Sequence, residues 1–153
     1  MRPVSHGRAV AALLALLLLA SSGRAEELTV RITPAAGGAP FVVHAEVVRT
    51  PEAQARGLMG RHQLAADRGM LFLFPDERPR TFWMKNCFIA LDMLFADRDG
   101  RVVHIQHDAP PCPSVVLQCP TYSSEAPAAT VLELPASTAA AHHLGVGSRI
   151  RWE

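Results

Sequence analysis

The chain is almost without lysine: Lys85 is the only one in 153 residues, and every other cationic side chain is arginine. Other absences remove whole classes of function. No clustered basic excess is present, which a nucleic-acid footprint would need, and no polybasic or strongly amphipathic stretch marks a membrane-surface binder. There is no serine nucleophile elbow, no phosphate-binding glycine loop, no dinucleotide fingerprint and no HExxH-like pattern. The histidines do not fill the gap. His104 and His107 are three apart, so on a continuous strand they point to opposite faces. His142 and His143 are adjacent, about 100° apart on a helix. No metal and no cofactor is therefore expected, and no named catalytic mechanism finds its residues. Internal repeats and linkers are absent too.

The longest apolar run, Ala9 to Ala20, has 12 residues, against roughly 20 for a membrane-spanning helix. Arg2, His6 and Arg8 precede it and Gly23-Arg24-Ala25 follows it. That layout predicts a secretory signal peptide over residues 1–25, cleaved after Ala25, with no membrane span in the mature chain. The product, residues 26–153, is long enough for one domain with one core. Removing Arg2, Arg8 and Arg24 leaves 12 cationic against 14 acidic residues, a net charge of −2. The expected location is the periplasm or the extracellular space.

Cysteine is scarce: Cys87, Cys112 and Cys119. In an oxidising compartment, Cys112 and Cys119 within "PPCPSVVLQCP" predict a disulfide closing a small ring; the alternative is half of a zinc site lacking its other ligands. Cys87 is left over, in a setting that suits a buried, inert thiol.

Alternation over Leu28–Thr33 and over Phe41–Val48, split by a Gly/Pro turn, predicts a hairpin. Thr50-Pro51-Glu52 starts a helix running to about Met59: a capping hydroxyl, proline at the first helical position and an acid near the positive end. Met70–Phe74, ended by Pro75, reads as a short buried strand. Thr81–Met84 and Met93–Ala96 are further strands, and Asp99-Gly100 turns the latter into a strand over Arg101–Gln106. Asp108–Pro127 reads as one long stapled loop. Thr130–Leu134 is a strand, Ser137–Leu144 a short helix stopped by Gly145, and Ser148–Trp152 a last strand. The sum is an α+β domain: about eight short strands and two short helices, built on a compact, mainly antiparallel sheet or small barrel.

Several segments together resemble one family: "ARGLMGR" (Ala55–Arg61), "GMLFLF" (Gly69–Phe74), "FWMKNCFIALDMLFAD" (Phe82–Asp97), "GRVVHI" (Gly100–Ile105), "YSSEAPAATVLELPA" (Tyr122–Ala136) and "LGVGSRI" (Leu144–Ile150). The run is similar to the domain-of-unknown-function 192 family, widespread in bacteria and archaea, and covers nearly the whole mature chain. The family's usual form is Phe-Trp-Met-Lys-Asn-Thr, so Cys87 stands where a threonine is customary. The paired cysteines resemble those of exported members. The resemblance implies a small β-rich domain and no particular activity.

Candidate chemistry centres on Lys85 within "TFWMKNCFIALDMLF". An amine among apolar neighbours loses hydration and becomes a better base or nucleophile; a nearby carboxylate instead holds it charged. Asp92, seven residues on, is the natural partner for such a pair. Alternatively the lysine stem covers Trp83 while its head reaches water. Strand alternation sends Trp83 and Lys85 to one face, Met84 and Asn86 to the other, and Asn86 suits a bend. Arg56, at a helix end, complements the dipole or holds a carboxylate with its planar fork. Tyr122 can bond across a pocket mouth or pack. Glu133 is expected at the surface or paired with an arginine. The leading expectation is an exported, non-catalytic cell-envelope domain binding a small molecule or peptide around Trp83, Lys85 and Asn86, with Arg56, Tyr122 and Asp92 as neighbours. The rivals are an envelope enzyme using Lys85 and Asp92, and a purely structural or assembly protein.

Overall fold

The computed structural model describes residues 25–153; the expected signal peptide therefore lies, but for Ala25, outside the described residues. Seven strands and two short helices follow in the order β1 (Glu27–Thr33), β2 (Phe41–Val48), α1 (Pro51–Arg56), β3 (Arg68–Trp83), β4 (Leu91–Ala96), β5 (Val102–Ala109), β6 (Thr121–Pro135), α2 (Thr138–Ala141) and β7 (Arg149–Trp152). They form one curled sheet in the order β5-β4-β6-β3-β2-β1-β7, a half-barrel of the expected α+β kind. All pairings are antiparallel except β2 with β3. The curl brings the two edges together at one end, where Val102 N donates to Ser148 O and Ile150 N to Gly100 O. Gly100 is required there: its φ is +75°, and a Cβ would collide with the Ile150 carbonyl.

The sheet is buried on both sides of its middle. Along β6, Leu132 and Leu134 join one apolar cluster, inside the curl, with Val30, Ile32, Val43, Leu71 and Ile150. Val131 joins a second cluster, on the other face, with Met70, Phe72, Met93 and Phe95. Strands buried on both faces carry near-continuous apolar runs rather than alternation, which is what "GMLFLF" and "LDMLFA" display.

Five local expectations change. The segments Met70–Phe74 and Thr81–Met84 belong to one strand, β3, so there are seven strands rather than about eight. Pro75 does not end it, because it falls in a break of the β3–β6 register between Leu73 and Arg78, where no ladder bond is demanded of it. The long loop over Asp108–Pro127 shrinks to residues 110–120, since β5 runs on to Ala109 and β6 begins at Thr121. Ser124 replaces the ladder around the second break: its Oγ accepts from Arg80 N at 2.9 Å and donates to the Ala126 carbonyl. The one parallel crossover, β2 to β3 through α1, leaves the mainly antiparallel expectation intact. Finally α1 stops at Arg56 because Gly57 turns the chain with φ +46°, and α2 spans only Thr138–Ala141.

Candidate functional site

The outer face of β3, β4 and β6 is roofed by α1 with its following turn and by the segment after Trp83. Local chemistry fixes both roofs. Thr50 Oγ1 accepts from Ala53 N at 3.2 Å to cap α1, and Gln54 Nε2 donates to Leu73 O at 2.9 Å, tying α1 to the sheet. In the second roof, Met84 is buried at 1 % exposure while Trp83 stays 49 % exposed, so the alternation expected here holds. Lys85 Nζ lies 5.1 Å from the centre of the Trp83 ring, within cation–π range.

Asn86, three residues past the end of β3, turns the chain in a left-handed conformation, φ +56°. Its N–H donates to Cys112 O and its carbonyl accepts from Gly60 N, both at 2.9 Å. It thus ties the turn after α1 to the stapled loop. Its side-chain Oδ1 is buried without a hydrogen-bond partner among the described residues. Cys112 N in turn donates to Cys87 O at 3.0 Å. Cys112 and Cys119 are bonded, with Cα atoms 5.8 Å apart, and Cys87 is a buried free thiol donating to Ile89 O. Burial pushes the Cys87 thiol up from its ordinary pKa, which keeps it protonated and unreactive. Replacing both bonded cysteines, Cys112→Ser with Cys119→Ser, should cost about 2–3 kcal/mol in urea denaturation, the scale of a short ring.

Between the two roofs lies a pocket of about 40 Å³. Arg56, Trp83 and Lys85 contribute its polar and aromatic rim; Phe72, Phe82, Met84 and Leu91 contribute apolar wall. Its floor includes Glu133. That residue is 5 % exposed, neither at the surface nor paired with an arginine as expected. The reason is register: Glu133 sits opposite Met70 on β3 and Met93 on β4, so its side chain shares their covered face. No hydrogen bond or ion pair engages the Glu133 carboxyl among the described residues, and burial raises its pKa from 4.5 to about 8. A carboxyl in that state is neutral at pH 7 and donates a hydrogen bond. A lone acid in the apolar run "TVLELP" was the one sequence signal for it.

Trp83 and Lys85 also border a wider groove of about 390 Å³, whose far wall is Val116, Leu117, Gln118 and Cys119 of the stapled loop. Three of the expected residues, Arg56, Trp83 and Lys85, thus meet at one pocket. Asn86 braces it from behind without lining it. Tyr122 pairs with Phe82 across β3 and β6 and packs at the edge of the second cluster. Asp92 lies elsewhere. Its oxygens accept from Asp108 N at 2.8 Å and Ala139 N at 2.7 Å, and no ion pair joins it to Lys85 among the described residues. The expected Lys85–Asp92 pair does not form, because β4 alternation turns Asp92 to the other face of the sheet, with Leu94 and Ala96.

Residues 32–152 match the DUF192 family, described as an uncharacterised ACR. Two crystal structures share the fold. A protein of Sinorhizobium meliloti 1021, described as a candidate transcription regulator, is 35 % identical with a TM-score of 0.77, over 84 % of this chain and 95 % of its own. A protein of unknown function from Novosphingobium aromaticivorans DSM 12444 is 31 % identical with a TM-score of 0.76, over 96 % of this chain and 100 % of its own. No curated protein matches the chain.

Proposed function

The chain belongs to the DUF192 family, and from that premise we propose that it is an exported, non-catalytic cell-envelope domain that binds a small molecule or peptide end beside Trp83 and Lys85. One observation carries this reading: Arg56, Trp83 and Lys85, from two separate segments, rim a single pocket that leads onto a groove. Neither cation has an ion-pair partner among the described residues, so both are available to a ligand. The enzyme reading loses its second residue, since Asp92 is spent on two backbone N–H groups. The regulator description belongs to one relative, and DNA binding does not suit this chain, whose expected mature form carries a net −2 charge and no basic cluster.

A thermal-shift screen of small molecules and dipeptides tests the binding, since a ligand of the native state raises its melting temperature. Lys85→Met keeps the stem and deletes the charge. It should change unfolding free energy by no more than about 0.5 kcal/mol, as surface substitutions do, while abolishing the shift given by any hit. A large destabilisation would make Lys85 a folding residue and sink the ligand site. Export has its own test. The intact mass of protein recovered from the envelope fraction should place the N-terminus at Glu26, and a product retaining Met1 to Ala25 would overturn the location.

A further inference from the structure

We propose that the pocket is a receptor for monocarboxylates with an aliphatic or aromatic tail: the ligand's carboxylate passes Arg56 and Lys85 and accepts a hydrogen bond from the Glu133 carboxyl, while the tail lies over Trp83 in the groove. The proposal rests on the ligand-binding reading above and gives it a chemical class.

Glu133 carries the argument by position. It is a buried acid with no partner among the described residues, yet its oxygens are not sealed off: the only sealed, unpartnered side-chain oxygen there is Asn86 Oδ1. Glu133 instead forms part of the pocket wall. An unpaired buried polar group costs stability, so an acid kept in such a place, where methionine would fill the same space, is one that meets something from outside.

Charge decides what that is. The titratable and charged groups that share the pocket with Glu133 are Arg56 from α1, Lys85 after β3, and the Cys87 thiol; the flanking strands offer only Met70 and Met93. A cationic ligand would pass two like charges to reach an acid that burial keeps neutral. An anion is drawn in by both, then finds a donor in a low-dielectric pocket where one hydrogen bond counts for more than in water. A carboxylate bonded to a protonated carboxyl is a charge-assisted pair, shorter and stronger than a neutral one. Size decides the rest. About 40 Å³, against the roughly 10–15 Å³ that one water needs, admits a group the size of a few waters, such as a carboxylate, and excludes a whole metabolite. The remainder must continue over Trp83 toward Val116 and Leu117, both exposed apolar side chains.

Isothermal titration of the purified protein with phenylacetate, phenylacetamide and phenethylamine tests this between pH 6 and 9. Phenylacetate should bind at least tenfold more tightly than the amide and the amine. Its affinity should be level near pH 6–7 and decline above about 8, toward about tenfold per pH unit, as Glu133 loses the proton it donates. Glu133→Gln keeps a donor at every pH, so it should retain binding and lose the pH dependence. Glu133→Leu should lose binding at least tenfold, with cooperative melting confirming that both variants fold. Preference for the amine, a pH-independent phenylacetate affinity in the wild type, or an unchanged pH profile in Glu133→Gln overturns the proposal. Hits in the broader screen that require Lys85 but include no carboxylate would overturn this class and leave the binding reading standing; no hits at all would remove both.

Discussion

The wild-type protein should lose stability as pH rises from about 4.5 to about 8, and Glu133→Gln should flatten that slope. Burial raises the Glu133 pKa from 4.5 in the unfolded chain to about 8 in the fold. Below 4.5 both states hold the proton and stability is unaffected by this group. Between the two values the native state holds a proton that the unfolded state has released. Each pH unit therefore costs about 1.4 kcal/mol, and the window as a whole on the order of 4–5 kcal/mol. Above 8 both states are ionised and the slope ends. The two acids whose pKa is lowered, Glu26 and Asp76, are held down by hydrogen bonds from Arg49 and Arg80 respectively. Their contribution is lost at more acid pH, as pH falls toward their lowered values, outside this window. Urea denaturation at unit steps from pH 5 to pH 9 measures the slope for both proteins. Equal slopes would assign the effect to other groups. A flat wild-type profile would mean that Glu133 is ionised in the fold and has found a counter-charge.

That slope also explains why part of the site could be read from the sequence and part could not. Trp83 and Lys85 share a face because alternation is a local property of an extended chain, and the pattern carries two residues past the end of β3 at Trp83. The β1–β2 hairpin, the Thr50 cap and the Asp99-Gly100 turn were legible for the same reason: a few adjacent residues determine each. Glu133 was not. Whether an acid in a strand faces water depends on what covers that face, and here the cover is α1 and the Trp83–Ile89 segment, many residues away. The prolines of β3 mislead similarly. Pro75 is a strand breaker by its missing N–H, but only the register of β6 reveals that nothing at that position asks for a donor. Arg56 reaches the pocket on α1, inside a crossover set by the parallel pairing of β2 with β3, a tertiary fact that no local stretch displays.

Asp92→Asn should destabilise the protein by about 3–5 kcal/mol, although it changes neither size nor shape. Asp92 is fully buried and each of its oxygens accepts one backbone N–H, from Asp108 at 2.8 Å and from Ala139 at 2.7 Å. The second bond does the capping work for α2. The residue before it, Ser137, is left-handed, φ +65°, and makes no side-chain cap; its hydroxyl donates instead to Asp108 Oδ1 at 3.0 Å. One buried carboxylate on β4 thus joins the end of β5 to the start of α2 and closes that end of the curl. Asparagine offers one acceptor and one NH2, so one backbone N–H would face another donor without water to replace the lost partner. Hydrogen bonds to charged acceptors contribute about 1.5–3 kcal/mol each, and a buried donor left unsatisfied costs about 1–3 more. Chemical denaturation of Asp92→Asn gives the loss directly. The Lys85→Met, Asp92→Asn double variant then separates fold from site: residues without contact or shared partners add to within about 0.5 kcal/mol. Additivity is expected, because the two side chains occupy opposite faces of the sheet. Recovery of stability in the double variant would restore the ion pair that the geometry rules out, and would turn Lys85 from a ligand residue into a folding one.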